Sequence, residues 1–141
     1  MSLYLDTSAL VPLFVQEAST ESLTRYLAES EDKLVISDFA AGEFAAAISK
    51  AVRLHRLTQH DALAVIHDFD QWRGDQQLVL TTSPEVLLAA EQIVRRFTLK
   101  LMLPDAIHLA FCERGKLRLV SLDARQIAAG AALGLRVELP T

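Results

Sequence analysis

Five short apolar runs are spaced along the chain and separated by longer stretches with helical periodicity. The runs cover residues 4–5, 34–37, 78–80, 117–121 and 135–139. Continuous apolar runs of this length are typical of strands that are buried on both faces of a parallel sheet. Strands that alternate with helices favour right-handed crossovers and helices on both faces. The pattern therefore predicts one three-layer α/β/α domain over residues 1–141, with a mainly parallel sheet of about five short strands.

Capping residues and glycines indicate where the predicted helices begin and end. Asp38 directly follows the second strand and predicts the N-cap of a long helix over about residues 39–55, because Asp is a favoured N-cap. Gly74 is expected to help end the next helix. Thr82-Ser83-Pro84-Glu85 predicts another helix start, with a hydroxyl cap, a proline in the first turn and an acid behind it.

Composition limits the class of protein. A chain of 141 residues, of which 51% are hydrophobic, can bury the core of one domain. Its apolar runs fall short of the roughly 18 residues of a membrane span, and the first residues lack the basic region of a signal peptide. Cys112 is the only cysteine, which excludes an intrachain disulfide and fits a reducing compartment. We therefore expect a cytoplasmic protein without a membrane partner.

Four acidic residues fall where a parallel sheet would bring them to one edge. Asp6 ends the first strand, and Glu43 lies just over one turn into the helix after the second. Asp105 is in the first turn of the helix that precedes the fourth strand, and Asp123 follows that strand. Strand ends and the starts of the following helices share the edge where α/β folds bind ligands. We therefore expect these four carboxylates to converge.

A cluster of carboxylates is unstable without a cation, because like charges raise one another's pKa values. Mg²⁺ and Mn²⁺ prefer oxygen ligands, and Mg²⁺ keeps several waters. One such ion, or two about 3.5–4 Å apart, would activate a water molecule and stabilise the leaving oxygen in phosphodiester hydrolysis. No cysteine or histidine cluster suggests zinc instead. The sequence therefore predicts a Mg²⁺ or Mn²⁺ site that cleaves phosphodiesters.

Net charge leaves a nucleic-acid substrate open. The chain has 14 basic and 18 acidic residues, a formal charge of -4, whereas nucleic-acid binders are usually basic. If four acids form a metal site, 14 acidic residues remain against 14 basic ones, and bound cations would reverse the local field. The acidity argues only against a large non-specific basic footprint.

Each of the four acids also has a structural explanation. Asp6, Asp105 and Asp123 suit helix N-termini through capping and dipole effects. Glu43 could be a solvated helix residue. These explanations are nearly independent of one another, whereas one metal site accounts for all four positions together.

The four acids stand in four characteristic segments: Asp6-Thr7-Ser8-Ala9-Leu10, Ser37-Asp38-Phe39-Ala40-Ala41-Gly42-Glu43-Phe44, Leu103-Pro104-Asp105-Ala106-Ile107-His108-Leu109-Ala110 and Ser121-Leu122-Asp123. These segments resemble the signature blocks of the PIN-domain ribonucleases, and within them the VapC-like toxins of bacterial toxin–antitoxin pairs. The resemblance covers essentially the whole chain.

This resemblance implies a Mg²⁺- or Mn²⁺-dependent endoribonuclease that is commonly dimeric and held inactive by a small antitoxin protein. By position, Asp6, Glu43 and Asp105 match the acidic triad of the family, and Asp123 matches its more variable fourth acid. Ser8 and Ser121 match polar positions near the metal.

Two positions depart from the family pattern. Ser121 stands where threonine is common, a change that keeps the hydroxyl. Asp123 is followed by Ala-Arg-Gln-Ile, where the family often has an aromatic residue or leucine, so Asp123 is a weaker match than the other acids. His108 lies one helical turn beyond Asp105. It could face the site, but a local hydrogen bond on the helix face is the simpler expectation.

Two other functions are consistent with parts of the sequence. A catalytically silent PIN-like interaction module would keep its acids for folding or for antitoxin binding. A phosphatase of the haloacid-dehalogenase kind would use Asp6 as its nucleophile, but that chemistry needs a second Asp two residues later, where this chain has Ser8.

Overall fold

A computed structural model describes residues 1–76 and 78–141, and within them it contains a five-stranded sheet. The strands are β1 (Leu3–Leu5), β2 (Leu34–Ser37), β3 (Leu78–Leu80), β4 (Arg118–Val120) and β5 (Val137–Glu138). All four neighbouring pairs are parallel, and the strand order is β3-β2-β1-β4-β5. The first strand is therefore central, with both neighbours reached by crossovers.

Helices cover both faces of this sheet, as the alternation of strands and helices predicts. They are α1 (Thr7–Leu10), α2 (Thr20–Glu29), α3 (Asp38–Arg53), α4 (Gln59–Gln76), α5 (Pro84–Val94), α6 (Leu103–Gly115) and α7 (Ala124–Ala132). Short 3₁₀ segments at Val11–Leu13 and Phe97–Leu99 join some of them. Residues of α1 to α4 pack in one core cluster and residues of α5 to α7 in another, which confirms the three-layer α/β/α fold.

The central strand divides the core because its side chains point alternately to opposite faces. Leu3 and Leu5 belong to the cluster with α1 to α4, whereas Tyr4 belongs to the cluster with α5 to α7. All three side chains are completely buried. A polar hydroxyl thus lies in the middle of the sheet, where it must find hydrogen-bond partners inside the protein.

The N-cap of α3 is Ser37, so the prediction that Asp38 caps this helix is wrong. The Ser37 hydroxyl accepts the Ala40 N–H at 2.9 Å. Asp38 is instead the first helical residue, and its carboxylate accepts the backbone N–H of Thr82 at 2.9 Å as well as the Thr82 hydroxyl. Both residue types suit a helix start, but Asp38 is used to bind the segment after β3.

Gly74 does not end its helix, because α4 continues to Gln76. A β-carbon at Gly74 would meet no atom within 4 Å, so this glycine is an ordinary interior helix residue. The prediction was wrong because glycine often ends a helix but also occurs inside helices.

Within the part of the chain that the structure describes, no helix is both long and apolar enough to cross a membrane.

Two glycines in helices provide a test of the packing between α7 and β5. At Gly130 an added β-carbon would lie 2.8 Å from Cγ1 of Val137, and valine is stiff because it branches at Cβ. We expect Gly130→Ala to lower the free energy of unfolding, since overpacking costs roughly 1–3 kcal/mol. Gly74→Ala makes the same change in open space and should raise stability by about 0.5–1 kcal/mol. Urea denaturation of both variants checks this, and equal effects would contradict the close packing at Gly130.

Candidate active site

The four acids that the sequence singles out lie at the carboxyl edge of the sheet. Asp6 directly follows β1, and Asp123 directly precedes α7 just beyond β4. Glu43 lies in the second turn of α3, and Asp105 is the third residue of α6. The charges of Asp123 and Glu43 both raise the pKa of Asp105. Asp105, Asp123 and Glu43 therefore form one acidic neighbourhood, and Asp6 lies at the same edge of the sheet.

Asp6 is the most deeply buried of the four, with 4% of its surface exposed. Its Oδ1 accepts the Ser8 hydroxyl at 2.6 Å and the Ala9 N–H at 3.2 Å, so it caps the short helix α1. Burial raises the pKa of Asp6, while the hydroxyls of Ser121 and Ser8 oppose that rise. A buried carboxylate whose charge costs free energy is a frequent property of functional sites.

Ser8 and Ser121 join the first turn of α1 to the segment that follows β4. Their hydroxyl oxygens are 3.2 Å apart. The Ser8 oxygen accepts the Leu122 N–H at 2.9 Å, and the Ser121 oxygen accepts the Asp123 N–H at 3.1 Å. The two serines therefore hold the backbone that carries Asp123 against the loop that carries Asp6.

Asp105 and Asp123 are both partly exposed, and their charges interact. Burial raises the pKa of Asp105, and the charge of Asp123 raises it further. Asp123 also accepts the Arg125 N–H at 2.9 Å as the N-cap of α7. The capping explanation and the site explanation therefore hold together at Asp123, and they do not compete.

Glu43 is in the opposite electrostatic situation. Its Oε1 accepts the Thr7 hydroxyl at 2.6 Å and lies 2.6 Å from Nε2 of His108. Burial works to raise the pKa of Glu43, but the hydrogen bonds from His108 and Thr7 outweigh it, and the net pKa is lowered. The pKa of Glu43 is thus lowered, whereas the pKa values of Asp6 and Asp105 are raised.

His108 continues this contact into the core. Its Nδ1 lies 2.7 Å from the Tyr4 hydroxyl, which lies 2.8 Å from the Ser37 hydroxyl. One set of directions satisfies every member: Ser37 donates to Tyr4, Tyr4 donates to Nδ1, and Nε2 donates to Glu43. The Ser37 oxygen in turn accepts the Ala40 N–H. A continuous chain of hydrogen bonds therefore joins the N-terminus of α3 to Glu43 through the middle of the sheet.

The sequence predicted only a local hydrogen bond for His108, and not its place in this series of hydrogen bonds. His108 is buried, with 3% of its surface exposed, and it bonds a candidate site residue in addition to the core. The spacing of three residues from Asp105 was the available signal, since it places both on one side of α6. The sequence did not indicate that Tyr4 and Thr7 take part in hydrogen bonds at this site. Tyr4 fits an apolar strand, and Thr7 fits the start of a helix.

The acids are not arranged as a ready-made metal cage. Within residues 1–76 and 78–141, no three His, Cys, Asp or Glu side chains have the spacing of a metal-ligand group. Their donor atoms are carboxylate oxygens, the type that hard divalent cations prefer, and Mg²⁺ usually takes one or two carboxylates and keeps several waters.

Comparison with known proteins identifies the family and agrees with the fold. A model of the PIN domain family matches residues 3–132. No curated protein matches the chain.

Several solved structures share the fold. The sarcin–ricin-loop-cleaving toxin VapC20 of Mycobacterium tuberculosis has a TM-score of 0.73 at 20% identity, over 92% of this chain and 95% of that one. FitAcB of Neisseria gonorrhoeae has a TM-score of 0.74 at 14% identity, over 96% and 95%. DNA-bound VapBC of Salmonella typhimurium has a TM-score of 0.70 at 18% identity, over 98% and 97%. At these identities the likeness concerns the fold.

Removing the Tyr4 hydroxyl tests the buried chain of hydrogen bonds. Tyr4→Phe keeps the ring but leaves His108 Nδ1 and the Ser37 hydroxyl without their partner, so we expect a loss of about 1–3 kcal/mol in the free energy of unfolding. Tyr26→Phe is the matched control, because Tyr26 is only partly buried and should lose at most about 0.5 kcal/mol. Equal losses of unfolding free energy in the two variants, measured by denaturant titration, would contradict a stabilising role of these buried hydrogen bonds.

Neutralising Asp6 tests the cost of its buried charge. Because its pKa is higher in the folded chain, the stabilising effect of the protonated carboxyl is complete below the unfolded pKa. That effect is lost as the pH rises through the folded pKa. Asp6→Asn keeps an oxygen for Ser8 and Ala9 and removes the charge. At pH 7 in chelator we expect its Tm to exceed that of the wild type by roughly 2–4 °C, equivalent to about 1 kcal/mol.

The exposed Asp68 in α4 supplies the control for this measurement. Asp68→Asn makes the same chemical change away from the site and should leave the Tm unchanged. A Tm for Asp6→Asn at or below the wild-type value would show that the Asp6 charge is not a burden on the folded protein.

Proposed function

The chain belongs to the PIN domain family, and from this membership together with its site we propose that it is a divalent-metal-dependent endoribonuclease. The observation that supports this function most is the concentration of acids at one sheet edge, where the pKa of Asp105 is raised by burial and by Asp123. Such repulsion is relieved when a cation binds between the carboxylates. Structural caps alone would not need to share a neighbourhood.

Asp6, Glu43, Asp105 and Asp123 would hold the ion, in part through its bound waters, and either Mg²⁺ or Mn²⁺ suits these oxygen donors. When bound, such an ion lowers the pKa of a water molecule and stabilises negative charge on a phosphate. Ser8 and Ser121 do not need to touch the ion, since their hydrogen bonds already orient Asp6 and the backbone of Asp123.

The protein's own contribution is to hold these carboxylates in place before substrate arrives. Thr7 and His108 both occupy Oε1 of Glu43, so they orient the other oxygen of that carboxylate. The Ser8 hydroxyl and the Ala9 N–H both occupy Oδ1 of Asp6, with the same consequence. Preorganised ligands reduce the reorganisation that catalysis would otherwise require.

We further propose that this nuclease is the toxin of a toxin–antitoxin pair. The support is the fold shared with VapC20 and with the VapBC and FitAB complexes, some of which are bound to DNA. On this proposal RNA is the substrate, an antitoxin protein and a second copy of the chain are its partners, and the cytoplasm is its compartment. The PIN family match disfavours the haloacid-dehalogenase-like alternative, and a silent PIN module becomes one outcome of the test below.

The test is cleavage of a mixed RNA pool by purified protein with Mn²⁺ or Mg²⁺ and, separately, with chelator. We expect cleavage that requires the ion and that falls by on the order of 100-fold or more in Asp105→Asn. Asp68→Asn, purified in the same way, should cleave like the wild type, because that exposed residue of α4 lies outside the site.

Equal cleavage by wild type and Asp105→Asn would indicate a contaminating nuclease. Folded, antitoxin-free protein that cleaves no RNA with either ion would overturn the enzyme and favour the silent interaction module.

A further inference from the structure

A cavity of about 370 Å³ opens directly beside the candidate active site. One wall is the segment around the 3₁₀ turn that precedes α6, and the opposite wall is α7. Asp105 belongs to both the cavity and the acidic neighbourhood. Any group that fills this cavity therefore lies next to the place where the scissile phosphate would bind.

The lining of the cavity combines apolar walls with two cations. Leu99 and Leu101 contribute from one side, and Ala128 and Ala132 from the other. Lys100 and Arg125 also line it, and both are exposed to solvent. Arg125 Nε is 4.0 Å from the Asp123 carboxylate and its side chain is 88% exposed, so its guanidinium is available to a ligand.

We propose that this cavity is a nucleotide subsite, which receives one unpaired nucleotide of the RNA adjacent to the bond that is cut. The inference rests on the proposed ribonuclease function, and it identifies the place where the protein recognises its substrate. Sequence-specific proteins commonly read RNA through single-stranded bases that are splayed out of the stack. A volume of this size lies in the lower range of small-ligand sites and suits a single nucleotide better than a helix.

The charge of the cavity lining favours a nucleotide over a basic peptide as the occupant, because two cations, Lys100 and Arg125, lie there against one acid, Asp105. The other acids and the formal charge of -4 repel a polyanion, so it needs local cations where it approaches. Lys100 and Arg125 supply them beside the apolar walls on which the face of a base can rest. The base would thus contact the leucines and alanines while its flanking phosphates contact the two cations.

The alanines of α7 allow the cavity to be filled without disturbing the fold. Ala128 and Ala132 are exposed helix positions, where leucine is well tolerated. Ala131 is exposed on the same helix but does not line the cavity. Ala128→Leu and Ala132→Leu therefore block the subsite, and Ala131→Leu is the matched control.

The measurement is fluorescence anisotropy of single-stranded RNA octamers, one of each base and one of mixed sequence, in chelator. We expect Ala128→Leu and Ala132→Leu to weaken binding of the preferred octamer about tenfold, with Ala131→Leu within twofold of wild type and all Tm values retained. In the cleavage assay with Mn²⁺, the same two variants should raise KM or shift the cleaved sequence. Binding and cleavage that match the Ala131→Leu control would overturn the subsite.

Salt dependence tests the two cations separately. If Lys100 and Arg125 each neutralise one phosphate, Lys100→Ala and Arg125→Ala should each lower the slope of log Kd against log salt by about 0.7. An unchanged slope in both variants would overturn their part in the subsite.

The two proposals can fail independently. Cavity-dependent RNA binding without metal-dependent cleavage would overturn the ribonuclease and keep the subsite. Metal-dependent cleavage that ignores the cavity variants would overturn the subsite and keep the ribonuclease.

Discussion

A tyrosine hydroxyl buried in the centre of the sheet fixes the geometry of the candidate active site. Tyr4 is completely buried. An unpaired hydroxyl there would lower the free energy of unfolding by an amount that is large compared with the net stability of a small domain. The protein satisfies it with Ser37 at the start of α3 and His108 on α6. The same histidine bonds Glu43. The hydrogen bonds of the Tyr4 hydroxyl therefore align α3, α6 and the Glu43 carboxylate at the edge of the sheet.

The environments of Asp6, Asp105 and Glu43 shift the pKa values of these carboxyl groups in different directions. Burial raises the pKa values of Asp6 and Asp105, whereas hydrogen bonds lower that of Glu43. A cation bound among these carboxylates, as we propose, would oppose the rise in the pKa values of Asp6 and Asp105. On this proposal, carboxylates whose burial lowers the stability of the folded chain are also ligands of the ion, a frequent compromise at functional sites.

The sequence predicted the layers, the parallel sheet and the positions of the four acids, because apolar runs and strand ends are local signals. It did not predict which of two adjacent residues caps α3. Ser37 and Asp38 are both good caps, and the Thr82 contact that decides between them is 44 residues away in sequence. The partners of His108 were missed for the same reason. Tyr4 is 104 residues away in sequence, and it lies in a run that the sequence pattern assigns to an apolar strand. Long-range polar contacts are where local patterns stop being informative.

Calorimetric titration of Mn²⁺ into the purified protein at neutral pH shows whether the four acids form a site for a hard divalent cation. We expect saturable binding by the wild type and by Asp68→Asn, and loss of that binding in Glu43→Gln. Folded wild type that binds no Mn²⁺ at millimolar concentrations, or Glu43→Gln that binds it as tightly as the wild type, would overturn this site.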